Sequence, residues 1–338
     1  EIVLGHTSSM EFWRAKRSHS QTRALLARPG EPRSFRSDSP DVAKPSAGDL
    51  ERLERIGLAQ HANPAHFIVP NALSRVRTAR ITCSVFDRRI PSSAFVNVGD
   101  GVFVASPELC LLLEARTAAL ANLVETGYEF CGRYRLPALP DGNMAPDQLP
   151  LTSVPKLQSL LSRTQDVNGV GAARKAVPHI LQNSESPKES QLSMLSSFPG
   201  RLGGYGFPPA TLNHPVRISE NARGRDVGRI CRCDLFWPDA KLDVEYDSRL
   251  HHAGEAEQEK DSARRTALAY AGILVITVSS DQLHTRSEMD KVAHAMAKRL
   301  GTRCRSRAHD WELKQIDYDL SCLAPRDRKC WAQNGTLT

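Results

Sequence analysis

The sequence predicts a two-domain α+β protein, in which an α/β unit at the C-terminus follows a smaller N-terminal α+β unit. A chain of 338 residues, 40% of them hydrophobic, exceeds the usual size of a single core and favours two domains. Four prolines within 137–150 predict a linker, because proline interrupts helices and central strands. The predicted segments are an N-terminal domain at 1–136, the linker at 137–150, a helical connector at 151–185, the main C-terminal domain at 186–303 and a tail at 304–338.

The N-terminal domain is predicted to be a small antiparallel unit behind a basic arm. Alternating apolar and polar residues predict strands at 1–4 and 80–86, and a hairpin at 95–104 around Gly-Asp-Gly. A Ser-Pro-Glu start predicts a helix over 106–121. Residues 14–48 are basic, rich in serine and proline and poor in large apolar side chains, so we expect a loop or a partly disordered arm there.

The C-terminal domain is predicted to run in the order helix, three strands, helix, strand, helix. Residues 186–189 form a capping box with proline at the first helical position, ahead of a buried stripe of Leu192, Leu195 and Phe198. Periodicity predicts the remaining elements, which are strands at 216–219, 229–236 and 241–247, a helix at 255–271, a buried strand at 273–278 and a helix at 286–300.

The strand at 241–247 carries a row of carboxylates. Its period of two places Asp243, Glu245 and Asp247 on one side. Such a row repels itself unless a cation binds, and Mg²⁺ prefers oxygen ligands. The alternative is an exposed acidic edge strand, which we favour for Asp243 alone. Asp234 lies among apolar residues on the preceding strand, so it needs a partner or a metal.

A series of motifs follows one another in the C-terminal domain. They are Ser186-Pro187-x-Glu189, Cys233-Asp234-Leu235-x-Trp237-Pro238, Val244-Glu245-Tyr246-Asp247, His252 and Asp261-x-x-Arg264-x-x-x-Leu268-x-x-x-Gly272. With these motifs the chain resembles the bacterial endonuclease-like domains related to very-short-patch mismatch-repair endonucleases, which belong to the PD-(D/E)XK class. The resemblance covers roughly a third of the chain and depends on order, spacing and predicted secondary structure together.

The resemblance implies a restriction-endonuclease-like αβββαβ core and a metal-dependent nuclease that hydrolyses phosphodiester bonds in DNA. Asp234 and Glu245 resemble the two carboxylates that hold Mg²⁺ or Mn²⁺. Asp247 resembles a further ligand or a base, and Glu189 the acidic residue borne on the helix, although Glu189 is also explained as a helix cap. His252, or its neighbour His251, resembles the histidine that contacts phosphate or water.

Basic residues are the candidates for DNA contact. Arg264 resembles the family's arginine, which either pairs with Glu189 or Asp247 or meets DNA. With Arg265, Arg174 and Lys175 on predicted helices, it would neutralise phosphates, and the net charge of +7 suits a polyanionic partner.

Two other functions remain open. The first is a catalytically inactive, nuclease-fold DNA-binding or antitoxin-like regulator. It is favoured by Ser248, where the family typically has glycine, and by residues 104–108, Val-Ala-Ser-Pro-Glu, which resemble the region preceding such domains in abortive-infection antitoxin-type proteins. The second is a purely structural acidic hairpin. Eight scattered cysteines without a CxxC pair, no secretory leader and no long apolar run predict a cytoplasmic protein outside the membrane.

Overall fold

A computed structural model describes most of the chain. The described residues are 1–16, 19–30, 32, 35, 44–56, 64–86, 91–136, 148–222, 225–247 and 255–304. Contacts between residues divide the chain into two compact units, which meet in sequence between Ile180 and Leu181. Among the described helices, none combines the length and the apolar composition that a bilayer span demands.

The first unit is built on a mixed five-stranded sheet. Its strands are β1 (Ile2–Leu4), β2 (Ala65–Val69), β3 (Ile81–Val85), β4 (Phe95–Gly99) and β5 (Val102–Ala105). They lie in the order β3-β2-β1-β5-β4, with β1 parallel to β5 and β2 parallel to β3. The predicted hairpin of β4 and β5 is confirmed, but the prediction of a purely antiparallel unit is wrong. Parallel neighbours require long crossovers, and the segments between these strands provide them.

Seven described helices belong to this unit. They are α1 (His6–Ala15), α2 (His19–Leu26), α3 (Ala47–Arg55), α4 (Pro107–Glu114), α5 (Leu120–Cys131), α6 (Val154–Ser162) and α7 (Val170–Ala176). The helix predicted over 106–121 ends earlier than expected, at Glu114, and α5 follows from Leu120. The arm expected at 14–48 contains α2, whose Thr22 is buried, and Pro29 bridges to Val96 of β4. Contact with the sheet orders a segment that lacks a core of its own.

The division after Ile180 differs from the boundary predicted at 137–150. Helices α6 and α7, expected to form a connector, pack against α4 and α5 of the first unit. Their buried residues include Leu157, Leu160 and Ala173. Residues 137–147 lie outside the described part of the chain. The second unit therefore begins at Leu181, close to the predicted start of the C-terminal domain.

The second unit follows the predicted order of elements. Its strands are β6 (Thr211–Ala222), β7 (Arg225–Trp237), β8 (Leu242–Asp247) and β9 (Leu274–Ser279), and its helices are α8 (Pro187–Ser197), α9 (Glu255–Tyr270), α10 (Ser280–His284) and α11 (Arg286–Arg299). Only α10 was not predicted. The sheet has the order β6-β7-β8-β9, antiparallel except for the β8–β9 pair. Helix α9 packs Ala267 and Leu268 against Cys231, Cys233 and Phe236 of β7.

Two expectations about these strands are wrong. The strand β8 is not an exposed acidic edge, because β7 and β9 pair with its two sides. The strand β9 was expected to be buried, but it is the last strand of the sheet and Leu274 is 45% exposed. A run of apolar residues does not distinguish a central strand from an edge strand, since pairing depends on distant parts of the chain.

Candidate acidic site

The candidate site lies at the point where the backbone pairing between β7 and β8 ends. Their backbone pairing runs from Trp237 opposite Leu242 to Leu235 opposite Val244, so Asp234 and Glu245 are the next residues on the two strands. The Asp234 carboxylate accepts a hydrogen bond from the Tyr246 backbone nitrogen at 3.3 Å. The Asp234 side chain thus continues the contact between β7 and β8 beyond the last backbone pair. This arrangement is expected for a hairpin that brings Asp234 and Glu245 together.

An irregularity in β7 positions Asp234. Cys231, Cys233 and Phe236 pack in the same core cluster, so the strict alternation of side chains breaks between Cys233 and Phe236. On β6, the pairing with β7 skips Asn213, which has a φ of +49°. Asparagine tolerates this left-handed conformation better than most residues. The break turns Asp234 away from the α9 core while its neighbours stay buried.

Glu189 reaches the same place from α8. Ser186 caps this helix by accepting a hydrogen bond from the Glu189 backbone nitrogen at 3.1 Å. The Glu189 carboxylate accepts from the Glu185 backbone nitrogen at 2.9 Å and from the Asn213 amide at 2.7 Å. Burial raises the pKa of Glu189. Glu189 therefore helps to fix the chain before α8, and its charge also acts on Asp234.

Electrostatics connect these carboxylates to one another. Burial, followed by repulsion from Glu189 and Glu245, raises the pKa of Asp234 to about 7. Arg264 of α9 opposes this repulsion, and its guanidinium Nη1 lies 2.5 Å from Glu245 Oε1. The arginine predicted to hold Glu189 or Asp247 thus pairs with Glu245. Glu189, Asp234, Glu245 and Arg264 form the acidic site, which α8, β7, β8 and α9 each supply with one residue.

Asp243 lies beneath the acidic site and is fully buried. The preference for an exposed Asp243 is therefore wrong, because β7 and β9 pair with both sides of β8 and Arg264 of α9 lies near this carboxylate. Neither carboxylate oxygen meets hydrogen-bond geometry with a described donor, and Arg264 Nη2 is 4.0 Å from Oδ2. Burial, followed by contact with the Glu245 carboxylate, raises the pKa of Asp243 well above its usual range. These surroundings favour the protonated form of Asp243.

The acidic site partly fits a hard divalent cation. Asp234 and Glu245 offer carboxylate oxygens, and Mg²⁺ commonly binds through one or two carboxylates while keeping several waters. Within the described residues, however, no three Asp, Glu, His or Cys side chains form a ready metal-binding group. Arg264 moreover occupies Glu245. The donor chemistry suits Mg²⁺ or Mn²⁺, and the charge of Arg264 opposes a cation that uses both carboxylates.

The other predicted site residues fall outside this arrangement or at its margin. Asp247 ends β8 and is half-buried. His251, His252 and Ser248 lie outside the described residues. Arg265 is exposed on α9, next to Arg264.

Arg174 and Lys175, the other basic residues predicted to contact DNA, lie on α7 of the first unit. Arg174 donates hydrogen bonds to the Leu161 and Thr164 carbonyl oxygens at 2.8 and 3.0 Å. Its guanidinium thus joins the ends of α6 and α7, whose backbone carbonyls need donors.

Sequence reasoning missed Asn213 and the buried state of Asp243. Asn213 holds Glu189 and also donates to the Asn183 carbonyl oxygen at 2.8 Å. An asparagine inside a β-branched stretch is a signal for a left-handed residue or a bulge, and Asn213 before His-Pro carried that signal. The partner of Asp243 follows only from the packing of α9 over β8.

Comparison with known proteins identifies two curated relatives. They are the uncharacterized proteins MT2308 and Rv2248 of Mycobacterium tuberculosis, from strains CDC 1551 / Oshkosh and ATCC 25618 / H37Rv. Each is 27% identical over 145 residues, which is 43% of this chain. The chain spans about half the length of these relatives, since the match covers 48% of each. No protein-family model and no solved structure matches the chain.

Proposed function

We propose that the second unit is a restriction-endonuclease-like domain that hydrolyses phosphodiester bonds in DNA with a divalent metal ion. The observation that carries this proposal is the meeting of Glu189, Asp234 and Glu245 where β7 and β8 part. One helix and two adjacent strands each supply one carboxylate to this place. Without a cation, a cluster of buried carboxylates destabilises the folded state when it is ionised, which is why the pKa of Asp234 is raised. A bound cation would offset this destabilisation.

The site residues divide the work as follows. Asp234 and Glu245 would hold Mg²⁺ or Mn²⁺, which polarises a phosphoryl oxygen and lowers the pKa of a bound water. Glu189 lies close enough to Asp234 to raise its pKa, and it is itself fixed by the Asn213 amide and the Glu185 backbone nitrogen. Buried Asp243 supports Glu245 from below without adding a full negative charge. Arg264 supplies the positive group nearest to Glu245 among the described residues.

The experiment is a nicking assay on supercoiled plasmid with Mg²⁺, with Mn²⁺ and with a chelator. Wild type is compared with Glu245→Gln and Asp234→Asn, which keep size but remove a ligand charge. Asp239→Asn, in the exposed turn between β7 and β8, is the matched control. We expect metal-dependent nicking by wild type and the control, and a loss on the order of a hundredfold or more in both site variants.

Binding separates this function from that of an inactive regulator. Removing a carboxylate near phosphate relieves repulsion, so DNA affinity in chelator should hold or rise in Glu245→Gln. A wild type that binds DNA but cuts no DNA form with either metal would favour the regulator. Cleavage that persists undiminished in both site variants would place the activity elsewhere.

A further inference from the structure

We propose that Arg264 is an internal counter-ion for Glu245, which a DNA phosphate draws away so that a divalent cation can bind. This inference rests on the proposed function and adds to it an order of events: DNA engagement prepares the metal site. The opposite order, in which metal binds tightly to the DNA-free protein, is the alternative that the structure disfavours, because the guanidinium already occupies Glu245.

The contacts of Arg264 carry the inference. Its Nη1 lies 2.5 Å from Glu245 Oε1, and its Nη2 lies 4.0 Å from Asp243 Oδ2. The same Nη2 donates to the Arg232 carbonyl oxygen on β7. The guanidinium therefore spans the gap between β7 and β8, next to the place where a cation held by Asp234 and Glu245 would lie.

A guanidinium and a divalent cation compete for Glu245. Both are positive, and a cation held by Asp234 and Glu245 would lie close to the guanidinium on Glu245 Oε1, so occupancy by one disfavours the other. Asp243 is fully buried and the Glu245 side chain is only 11% exposed, so water cannot substitute fully for Arg264 if it leaves without a replacement. The DNA-free protein should therefore keep the ion pair and bind a cation weakly.

DNA offers Arg264 an alternative partner. The side chain is a quarter exposed, so an approaching phosphate can reach it. Arginine binds phosphate with two parallel hydrogen bonds, a geometry that its planar fork favours. Once the phosphate holds the guanidinium, Glu245 is free for the cation. Linkage then requires that DNA and cation each strengthen the binding of the other.

The test measures Mn²⁺ affinity from the electron paramagnetic resonance signal of free Mn²⁺, with and without a short DNA duplex. Samples are kept on ice, and a denaturing gel confirms that the duplex stays intact. Glu245→Gln, which lacks the ligand, gives the background from Mn²⁺ bound to DNA itself. For wild type, we expect the duplex to tighten Mn²⁺ binding by a factor on the order of ten.

Variants of Arg264 test whether this residue causes the effect of the duplex on Mn²⁺ affinity. Arg264→Met should bind Mn²⁺ about tenfold more tightly than wild type without DNA, and the duplex should add little. Arg264→Lys retains the charge, so its DNA-free affinity should stay near that of wild type. Arg217→Met, which replaces an exposed arginine of β6 outside the acidic site, is the matched control and should behave as wild type.

The outcomes distinguish the inference from the proposed function. Equal Mn²⁺ affinity of wild type with and without DNA would overturn the role of Arg264 and leave the metal site standing. Absence of Mn²⁺ binding in wild type under both conditions would overturn the metal site and the inference with it. The comparison of wild type with and without DNA needs no variant, so the inference is testable even if Arg264→Met does not fold.

Discussion

Asp234 and Asp243 hold their protons more tightly than aspartates in water do. Both groups lose hydration on burial, and both face other carboxylates. A protein that needed only stability would place neutral residues here, since an apolar replacement for a buried charge is often neutral or stabilising. At the scale of single residues, the acidic site is a destabilising arrangement whose cost a cation can offset.

The first prediction is a stability that falls with rising pH. The pKa of Asp234 is about 7 in the folded chain against an ordinary value of 3.8, so the folded state binds more protons between these values. The stabilising contribution is fully present below about pH 4 and is lost as pH rises through about 7, by at most about 1.4 kcal/mol per pH unit for one group. The raised pKa values of Asp243 and Glu189 act in the same direction.

Urea unfolding from pH 4 to pH 8 in the presence of a chelator measures this dependence. Asp234→Asn, which cannot ionise, should give a flatter curve than wild type and should be more stable near pH 8. Superimposable curves for the two proteins would contradict the environment described for Asp234. Millimolar Mg²⁺ should raise the stability of wild type at pH 8 more than that of the variant.

At the scale of elements, the site depends on how β6, β7 and α8 are joined. Asn213 of β6 sits opposite the irregular part of β7 and carries the hydrogen bond to Glu189. The backbone at this position has a positive φ, and the hydrogen bond to Glu189 needs a side-chain amide. Asparagine combines an amide with tolerance of the left-handed conformation. One residue therefore sets the backbone bend and the position of the α8 carboxylate.

Substitution of Asn213 should separate these two roles. Asn213→Gly keeps the backbone conformation and loses the amide, so we expect a loss of about 1 kcal/mol in the free energy of unfolding. Asn213→Ala loses both, so the loss should be larger by about 1–2 kcal/mol. Urea unfolding of the two variants measures the difference. Alanine as stable as glycine at this position would show that the left-handed backbone is not required.

Local sequence patterns predicted the main elements of the second unit but not their interruptions. The N-cap at Ser186, the hairpin of β7 and β8 and the helix α9 follow from local chemistry and periodicity, so their positions are correct to within a few residues. The predicted capping box is only half formed, because the Glu189 carboxylate accepts from the Glu185 backbone nitrogen and not from that of Ser186. The pairing of β8 with β9 links residues about 30 positions apart, which periodicity does not encode.

The acidic site was predicted only in part, for the same reason. Asp234 and Glu245 could be brought together from the hairpin alone, because a tight turn fixes its register. The partner of Arg264 could not, since it depends on how α9 lies over the sheet. The burial of Asp243 likewise follows from tertiary packing.

At the scale of the whole molecule, the excess of positive charge lies mainly in the first unit and not in the unit that contains the acidic site. Residues 1–180 contain 22 Lys and Arg against 17 Asp and Glu, whereas residues 181–304 contain 17 against 16. The second unit is therefore close to neutral, and its own carboxylates repel phosphate in the absence of metal. Attraction to a polyanion at long range must come largely from the first unit.

Under the proposed function, we therefore expect the first unit to supply much of the affinity for DNA. The logarithm of the binding constant of the full chain should fall with the logarithm of salt concentration, with a slope of about −0.9 for each phosphate neutralised. A chain that begins at Leu181 should bind more weakly and with a smaller slope, once circular dichroism shows that it is folded. Identical slopes for the two proteins would contradict this assignment.

Anomalous X-ray scattering from Mn²⁺ in crystals of the protein tests the central claim most directly, because it locates the cation without reference to activity. The proposal predicts a single strong peak between the carboxylates of Asp234 and Glu245, with the Arg264 guanidinium displaced from its 2.5 Å contact with Glu245. Glu245→Gln crystals grown in the same way should lack the peak. Scattering confined to other positions at saturating Mn²⁺, with the Arg264–Glu245 pair intact, would contradict the claim that this cluster is a metal site.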